Sequence, residues 1–353
     1  MQIQLGSQQI DHNTPCHVIA ELSGNHNGTL SQALALMEAA AAAGADSIKI
    51  QLYRADTITL NSDHPDFQIP KHSAWNHHRT LYQLYEHAHT PWEWLPELFR
   101  KAEVLNIPLF GSVFDLSSVD VLADYGTAAY KIASPEIVDI ALLERVAKSG
   151  KPVLISTGVG RLTEISTAVD VLREHGCEQY AILKCTTAYP TPYTEVNLRN
   201  MQNISQTFGC IAGLSDHTHG IGVALAAVAL GARVIEKHIR LEDDRDAVDG
   251  FFSLPPSEFA QMVEEIRHVE AALGVGSYEL TPSAIANSHG KRSLYVAEPI
   301  RIGEPFTEQN IRSVRPGYGL APKFLPLIIG RRAVRDMTIG EPLKWPDVGE
   351  MVL

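Results

Sequence analysis

The apolar positions of this chain fall in short, nearly continuous runs, and each run is followed by a stretch with helical periodicity. The first run, CHVIAEL, breaks at the turn SGNHNG, and an Ala/Leu-rich helix is expected over 30–43, stopped by Gly44. SIKIQLY reads as the second strand. A helix opening at Thr90-Pro91 runs to about 104, with proline where no backbone N–H is needed. The alternation is then regular. Strands PLFGSVF, AAYKIAS, PVLISTG, YAILKCTT, IAGLSDH and RVIEKHI are separated by helices predicted over 116–125, 140–149, 162–175, 196–208, 221–231 and 256–273. Strands this uniformly apolar are covered on both faces, which means a parallel sheet. Eight strand–helix units predict an α/β fold, a (β/α)8 TIM barrel. An open doubly wound sheet is the alternative, and the lack of GxGxxG after the first strand counts against it.

Two stretches break the rhythm. Residues 55–89 are rich in His, Asp and Pro and read as a long irregular loop, which in a compact domain usually serves function or is disordered. After about Pro282 come short strand-like pieces, prolines and turns, and Ile302-Gly303-Glu304-Pro305 recurs as Ile339-Gly340-Glu341-Pro342. The expected organisation is a catalytic barrel over 1–281, then a linker and a small β-rich domain within 282–353.

The formal net charge is -12, from 29 basic and 41 acidic residues, which argues against general nucleic-acid binding. The N-terminal MQIQLGSQQI lacks the features of a signal peptide, and no apolar run is long enough to span a membrane. Cys16, Cys177, Cys185 and Cys210 have no CxxC spacing, so a cytoplasmic enzyme with reduced thiols is expected.

In such a barrel the C-terminal strand ends line one mouth. The chain offers there Glu21; Lys49 and Gln51; Ser112; Lys131, Ser134 and Glu136; Ser156 and Thr157; Lys184, Thr186 and Thr187; Ser215, Asp216 and His217; Glu236 and His238. A lysine in a barrel interior needs an anionic partner. Lys49 and Lys131, with Ser112, Ser134, Ser156 and Ser215, fit a phosphate or carboxylate held by charge-assisted hydrogen bonds. A buried Lys–Glu network using Glu21, Glu136 and Glu236 is the alternative. Between Ile211 and Ile239 two apolar runs end in His217 and His238, and two imidazoles on neighbouring strand ends suit a divalent metal; satisfied histidines at the rim of a core are the plainer reading.

The motifs AELSGNHNG from Ala20, KIQ from Lys49, YKIAS from Tyr130, GLSDHT from Gly213, EKH from Glu236 and RPG from Arg315 together resemble the sialic acid synthase family, which condenses phosphoenolpyruvate with an amino sugar. The resemblance covers almost the whole chain, and the tail is similar to the family's antifreeze-like (SAF) domain. Within the family, TITLN from Thr57 and TLYQLY from Thr80, running into TPWEW from Thr90, resemble the branch that makes pseudaminic acid. Where family members usually read SLEP this chain has Ser253-Leu254-Pro255-Pro256, and where the sialic acid branch commonly has His and Asn it has Lys184 and Thr187.

The resemblance implies a divalent metal on His217 and His238, usually manganese, with magnesium or cobalt as alternatives. It implies that Lys49, Ser112, Lys131, Ser134, Ser156, Thr187 and Ser215 bind phosphoenolpyruvate and that Gln51, Glu136, Tyr189, Asp249 and Arg315 contact the sugar. It gives Glu21 acid/base or orienting work, and it implies a homodimer in which Arg315 of the swapped tail reaches the partner's barrel. Two rivals remain. One is a pyruvate aldolase with Lys131 as a Schiff-base residue, and the other is a non-catalytic sugar-binding protein.

Overall fold

The computed structural model describes residues 1–351. Its eight central strands are β3 (His17–Glu21), β4 (Ser47–Leu52), β5 (Leu109–Val113), β6 (Tyr130–Ile132), β7 (Val153–Ser156), β8 (Tyr180–Cys185), β9 (Ile211–Asp216) and β10 (Val234–His238). All pair in parallel, and β10 pairs β3 to close the barrel. The expected (β/α)8 architecture is therefore the observed one.

Local signals set the helix ends. The Thr29 hydroxyl accepts from the backbone N–H of Gln32 at the start of helix Leu30–Ala42. Asp115 and Asp139 cap helices Leu116–Asp124 and Ile140–Ala147 in the same way. Helix Leu95–Leu105 stops where Asn106 turns left-handed, at φ 52.

Alternation along the strands divides the barrel. Outward residues such as Val18, Ile48, Ile132, Ile182, Leu214 and Ile235 pack in one core with helix residues such as Leu36, Leu98, Val119 and Leu172. Inward residues form tiers. The lower tier is apolar: Ile19, Phe110, Leu154, Ala181, Leu183, Ile211 and Val234. It is closed from below by Ile3, Leu5 and Ile10 of an N-terminal hairpin, β1 (Ile3–Leu5) paired with β2 (Gln8–Ile10). Each of these plugging side chains contributes on the order of 1.5–3 kcal/mol by burial. The upper tier is polar, because two residues further along each strand the chain places Glu21, Ser112, Ser156, Cys185 and Glu236.

The chain divides into two compact units, Met1–Gly274 and Val275–Leu353. The first ends with helix Pro256–Leu273, so the division falls earlier than the expected 281. The stretch 55–89 is less irregular than expected, since it contains helices Ala55–Ile58 and Leu81–Ala88, the latter capped by Thr80. The second unit holds two antiparallel pairs, β11 (Ser293–Val296) with β12 (Ile311–Val314) and β13 (Arg331–Ala333) with β14 (Val348–Met351). They enclose Leu294, Val296, Phe306, Ile311, Ile328 and Leu343. The repeated IGEP segments form the same turn twice. Gly303 and Gly340 take φ 83 and 88, and the Glu304 and Glu341 carboxylates accept from the N–H of Arg301 and Thr338.

Candidate active site

A cavity of about 340 Å³ opens at the C-terminal end of the barrel. Its wall includes Lys49, Gln51, Ser112, Lys131, Ser134, Ser156, Thr187, Tyr189, Ser215, His217, His238 and Asp249. Residues expected at the mouth from seven of the eight strands and their loops thus meet in one place.

The two interior lysines differ. Lys49 lies between two carboxylates, 3.0 Å from Glu21 Oε2 and 2.9 Å from Glu236 Oε1. The register brings this about: Glu21 stands opposite Lys49 on β4 and opposite His238 on β10. Ser215 donates to Glu236 Oε1 at 3.0 Å, and Glu21 Oε1 accepts from the Ser23 N–H and from Gln51 Nε2. Burial opposes the charge on Glu236, but Lys49 and Lys131 outweigh it and hold its carboxyl down at about 2. Burial raises Glu21. For Lys49 the Lys–Glu network is realised, through Glu21 and Glu236 and without Glu136.

Lys131 has no such partner. Its Nζ donates to Ser156 Oγ at 2.7 Å and to the Ile132 carbonyl at 2.9 Å, and among the described residues no carboxylate pairs with it. It is 1% exposed, and burial pushes its pKa down to about 8. On the same wall the Thr187 hydroxyl is buried with no hydrogen-bond partner among the described residues. Ser134 Oγ accepts from the Val159 N–H at 2.6 Å. Gly158 completes the cradle, since a Cβ there would collide with the Ser134 and Thr187 hydroxyls. A buried cation with no carboxylate paired to it, on a wall that also carries free hydroxyl groups, is a site for a small anion.

Across the cavity stand the imidazoles. His217 and His238 have ring centroids 5.3 Å apart, framed by Tyr189 and Phe252. His217 Nδ1 lies 3.2 Å from the Thr186 carbonyl and 3.9 Å from Cys185 Sγ. A proton on Nδ1, donated to that carbonyl, leaves Nε2 with its lone pair free. His238 Nδ1 is buried with no hydrogen-bond partner among the described residues, and Asp249 Oδ2 is 3.8 Å away. This orphaned nitrogen and the free ring edge of His217 fit a divalent ion held by two imidazoles. Among the described residues no group of three or more His, Cys, Asp or Glu side chains is arranged to hold a metal, so the fit is to the imidazole pair alone.

The motif SGNHNG builds the adjoining wall. Asn25 donates to the Ile239 carbonyl and to Ser253 Oγ and accepts from the Asp249 N–H at 2.9 Å, which ties the loop after β10 to the end of β3. Ser23 Oγ donates to the Asp249 carboxylate. Glu136 sits on the turn Pro135–Val138, just beyond Ser134 rather than on the wall itself. Burial raises its carboxyl to about 7.

Lys184 and Asp216 belong to the other strand face. Lys184 Nζ donates to the Cys185 carbonyl and to Thr186 Oγ1, and Asp216 pairs with buried Lys237 at 2.7 Å. Arg315 follows β12 in the second unit and is exposed. Sequence reasoning missed Cys185, Ser23, Tyr53, Trp75, Tyr85 and Phe114, all on the wall. Strand parity signals Cys185, which is two residues beyond inward Leu183. The aromatic residues come from loops and a short helix and had no periodic signal.

Fold and site define a (β/α)8 barrel protein with an anion cradle facing an imidazole pair. Residues 36–278 match the model of the NeuB family and residues 291–349 that of the SAF domain, and the chain belongs to the NeuB family. The sialic acid synthase resemblance in the motifs is thereby upheld. The chain is 42% identical to the pseudaminic acid synthase of Campylobacter jejuni, over 98% of this chain and 99% of that one. It is 37% identical to that of Helicobacter pylori, over 95% and 98%. Among solved structures it is similar to the spore coat polysaccharide biosynthesis protein SpsE of Bacillus subtilis, with a TM-score of 0.68 and 32% identity over 100% of this chain and 99% of that one.

Proposed function

We propose that this enzyme condenses phosphoenolpyruvate with 2,4-diacetamido-2,4,6-trideoxy-L-altrose to give pseudaminic acid and phosphate. One observation carries the reading: Lys131, with no paired carboxylate and bonded to Ser156, shares a cavity with the His217–His238 pair. Likeness to pseudaminic acid synthases over nearly the full chain supports the choice of sugar.

Lys131, Ser134, Ser156 and Thr187 hold the phosphate and carboxylate of phosphoenolpyruvate, and Lys49, Ser112 and Ser215 line the adjoining wall. Gln51, Glu136, Tyr189 and Asp249 serve the sugar. His217 and His238 would hold a divalent ion, manganese first and magnesium or cobalt as alternatives, which when bound polarises the sugar's aldehyde. Carbon 3 of phosphoenolpyruvate forms the new bond to the aldehyde carbon, whose oxygen takes up a proton. Water adds at carbon 2 and loses a proton. The carbon 2–oxygen bond to phosphate then breaks, phosphate leaves with the electron pair, and the carbon 2 hydroxyl gives up its proton to leave the keto group. Glu136, with its carboxyl near 7, is suited to exchange protons at neutral pH. Glu21 keeps Lys49 and Gln51 in place. No helix among the described residues is long and apolar enough to cross a membrane, and the four cysteines are free, which fits a reducing, cytoplasmic setting. In the same reading the enzyme is a homodimer whose SAF domains exchange, bringing Arg315 to the partner's site.

Assayed with phosphoenolpyruvate, the enzyme is expected to show a higher kcat/KM on the diacetamido sugar than on N-acetylmannosamine. The reverse order would refute the sugar assignment. Lys131 gives a second test. It binds an anion only while protonated, so kcat/KM for phosphoenolpyruvate should decline as pH rises through about 8, and Lys131→Arg, which stays charged, should carry the plateau higher. A wild-type profile that stays flat well above that pH would remove Lys131 from the anion site.

A further inference from the structure

The stretch 55–89 brings a different chemistry to the cavity. Leu84 and Ala88, on helix Leu81–Ala88, close against Val248 in a small apolar cluster, with Ile69, Trp75 and Tyr85 packed around it. Leu84, Ala88 and Val248 are 8%, 7% and 9% exposed, and what remains open forms part of the cavity wall. Gly24 permits the close fit: a Cβ on it would lie 3.1 Å from Val248 Cβ and 3.2 Å from Ala88 Cβ. The indole N–H of Trp75 is taken by the Val248 carbonyl at 2.8 Å, so this side chain presents ring surface rather than a donor.

Aromatic rings link the patch to the imidazoles. From His217 the contacts pass to Tyr189 at 4.6 Å and from Tyr189 to Trp75 at 5.5 Å between ring centroids. A linear sugar whose aldehyde is at the imidazole pair would reach this wall with the far end of its carbon chain. The side chains of Leu84, Ala88 and Val248 carry no hydrogen-bonding atom. A terminal hydroxymethyl group there would lose water and find no partner on these three side chains, whereas a methyl group loses nothing and buries apolar surface.

We propose that Leu84, Ala88 and Val248 form the subsite for the terminal methyl of a 6-deoxy amino sugar and set the preference for 6-deoxy over 6-hydroxy substrates. The proposal rests on the functional reading above. It explains why a synthase of this kind carries a helix between β4 and the TPWEW segment.

The test uses two diacetamido sugars of the same configuration that differ only in a hydroxyl on carbon 6, each assayed with phosphoenolpyruvate and manganese. The wild-type enzyme is expected to favour the 6-deoxy sugar by about 10- to 100-fold in kcat/KM, the range an apolar pocket achieves against an added hydroxyl. Val248→Thr and Ala88→Ser each place a hydroxyl in the patch and should lower that ratio by about fivefold or more, chiefly by improving the 6-hydroxy sugar. If both variants consume the 6-deoxy sugar and the ratio stays at the wild-type value, the subsite is overturned and the functional reading stands. If the wild-type enzyme consumes neither sugar, the functional reading falls and takes the subsite with it.

Discussion

His217→Ala is expected to yield a folded protein that has lost both manganese affinity and turnover, the rate falling about a thousandfold or more. That loss corresponds to about 4 kcal/mol of transition-state stabilisation, in the range a Lewis acid supplies. The side chain is buried at the cavity wall, with Nδ1 directed to the Thr186 carbonyl. Truncation removes the imidazole and little of the apolar core, so circular dichroism should match wild type. Chelator treatment of the wild-type enzyme should have the same effect reversibly, with manganese restoring the rate. Full turnover in excess chelator would end the metal reading.

The second large effect concerns Arg315. Arg315→Ala and His217→Ala are each expected to be nearly inactive alone and to regain activity when co-expressed. If the SAF domain of one subunit completes the barrel of the other, a mixed dimer has one site with both lesions and one with neither. Activity should then return to about half of wild type per dimer. The exposed guanidinium suits this role, because it can donate with fixed geometry to a carboxylate or an acyl oxygen. Purified mixed dimers as inactive as their parents would mean that Arg315 works within its own subunit or not at all.

The barrel was legible because its signal is periodic. Apolar runs identified the strands and their ends the polar residues near the mouth; which of these face the interior follows from two-residue alternation, as from Ile19 to Glu21 or from Leu154 to Ser156. The pairing inside the cavity was not legible. Whether Lys49 or Lys131 meets the carboxylates depends on the register of β3 against β4 and of β10 against β3, the latter two from opposite ends of the barrel sequence. Parity alone also separates Lys184 and Asp216 from the mouth, yet both lie at strand ends where a linear reading collects every polar residue. The β1–β2 hairpin escaped notice because each of its strands spans 3 residues, too short for a pattern. The apolar patch around Leu84 and Val248 joins segments far apart in the chain, and no spacing connects them.

The most direct test of the condensation itself compares the two three-carbon donors. With the diacetamido sugar and manganese, phosphoenolpyruvate should yield the 2-keto acid product and one phosphate per product formed, while pyruvate yields nothing and borohydride traps no adduct on Lys131. Product formation from pyruvate, or a borohydride-stable adduct at Lys131, would contradict the account and make the enzyme an aldolase.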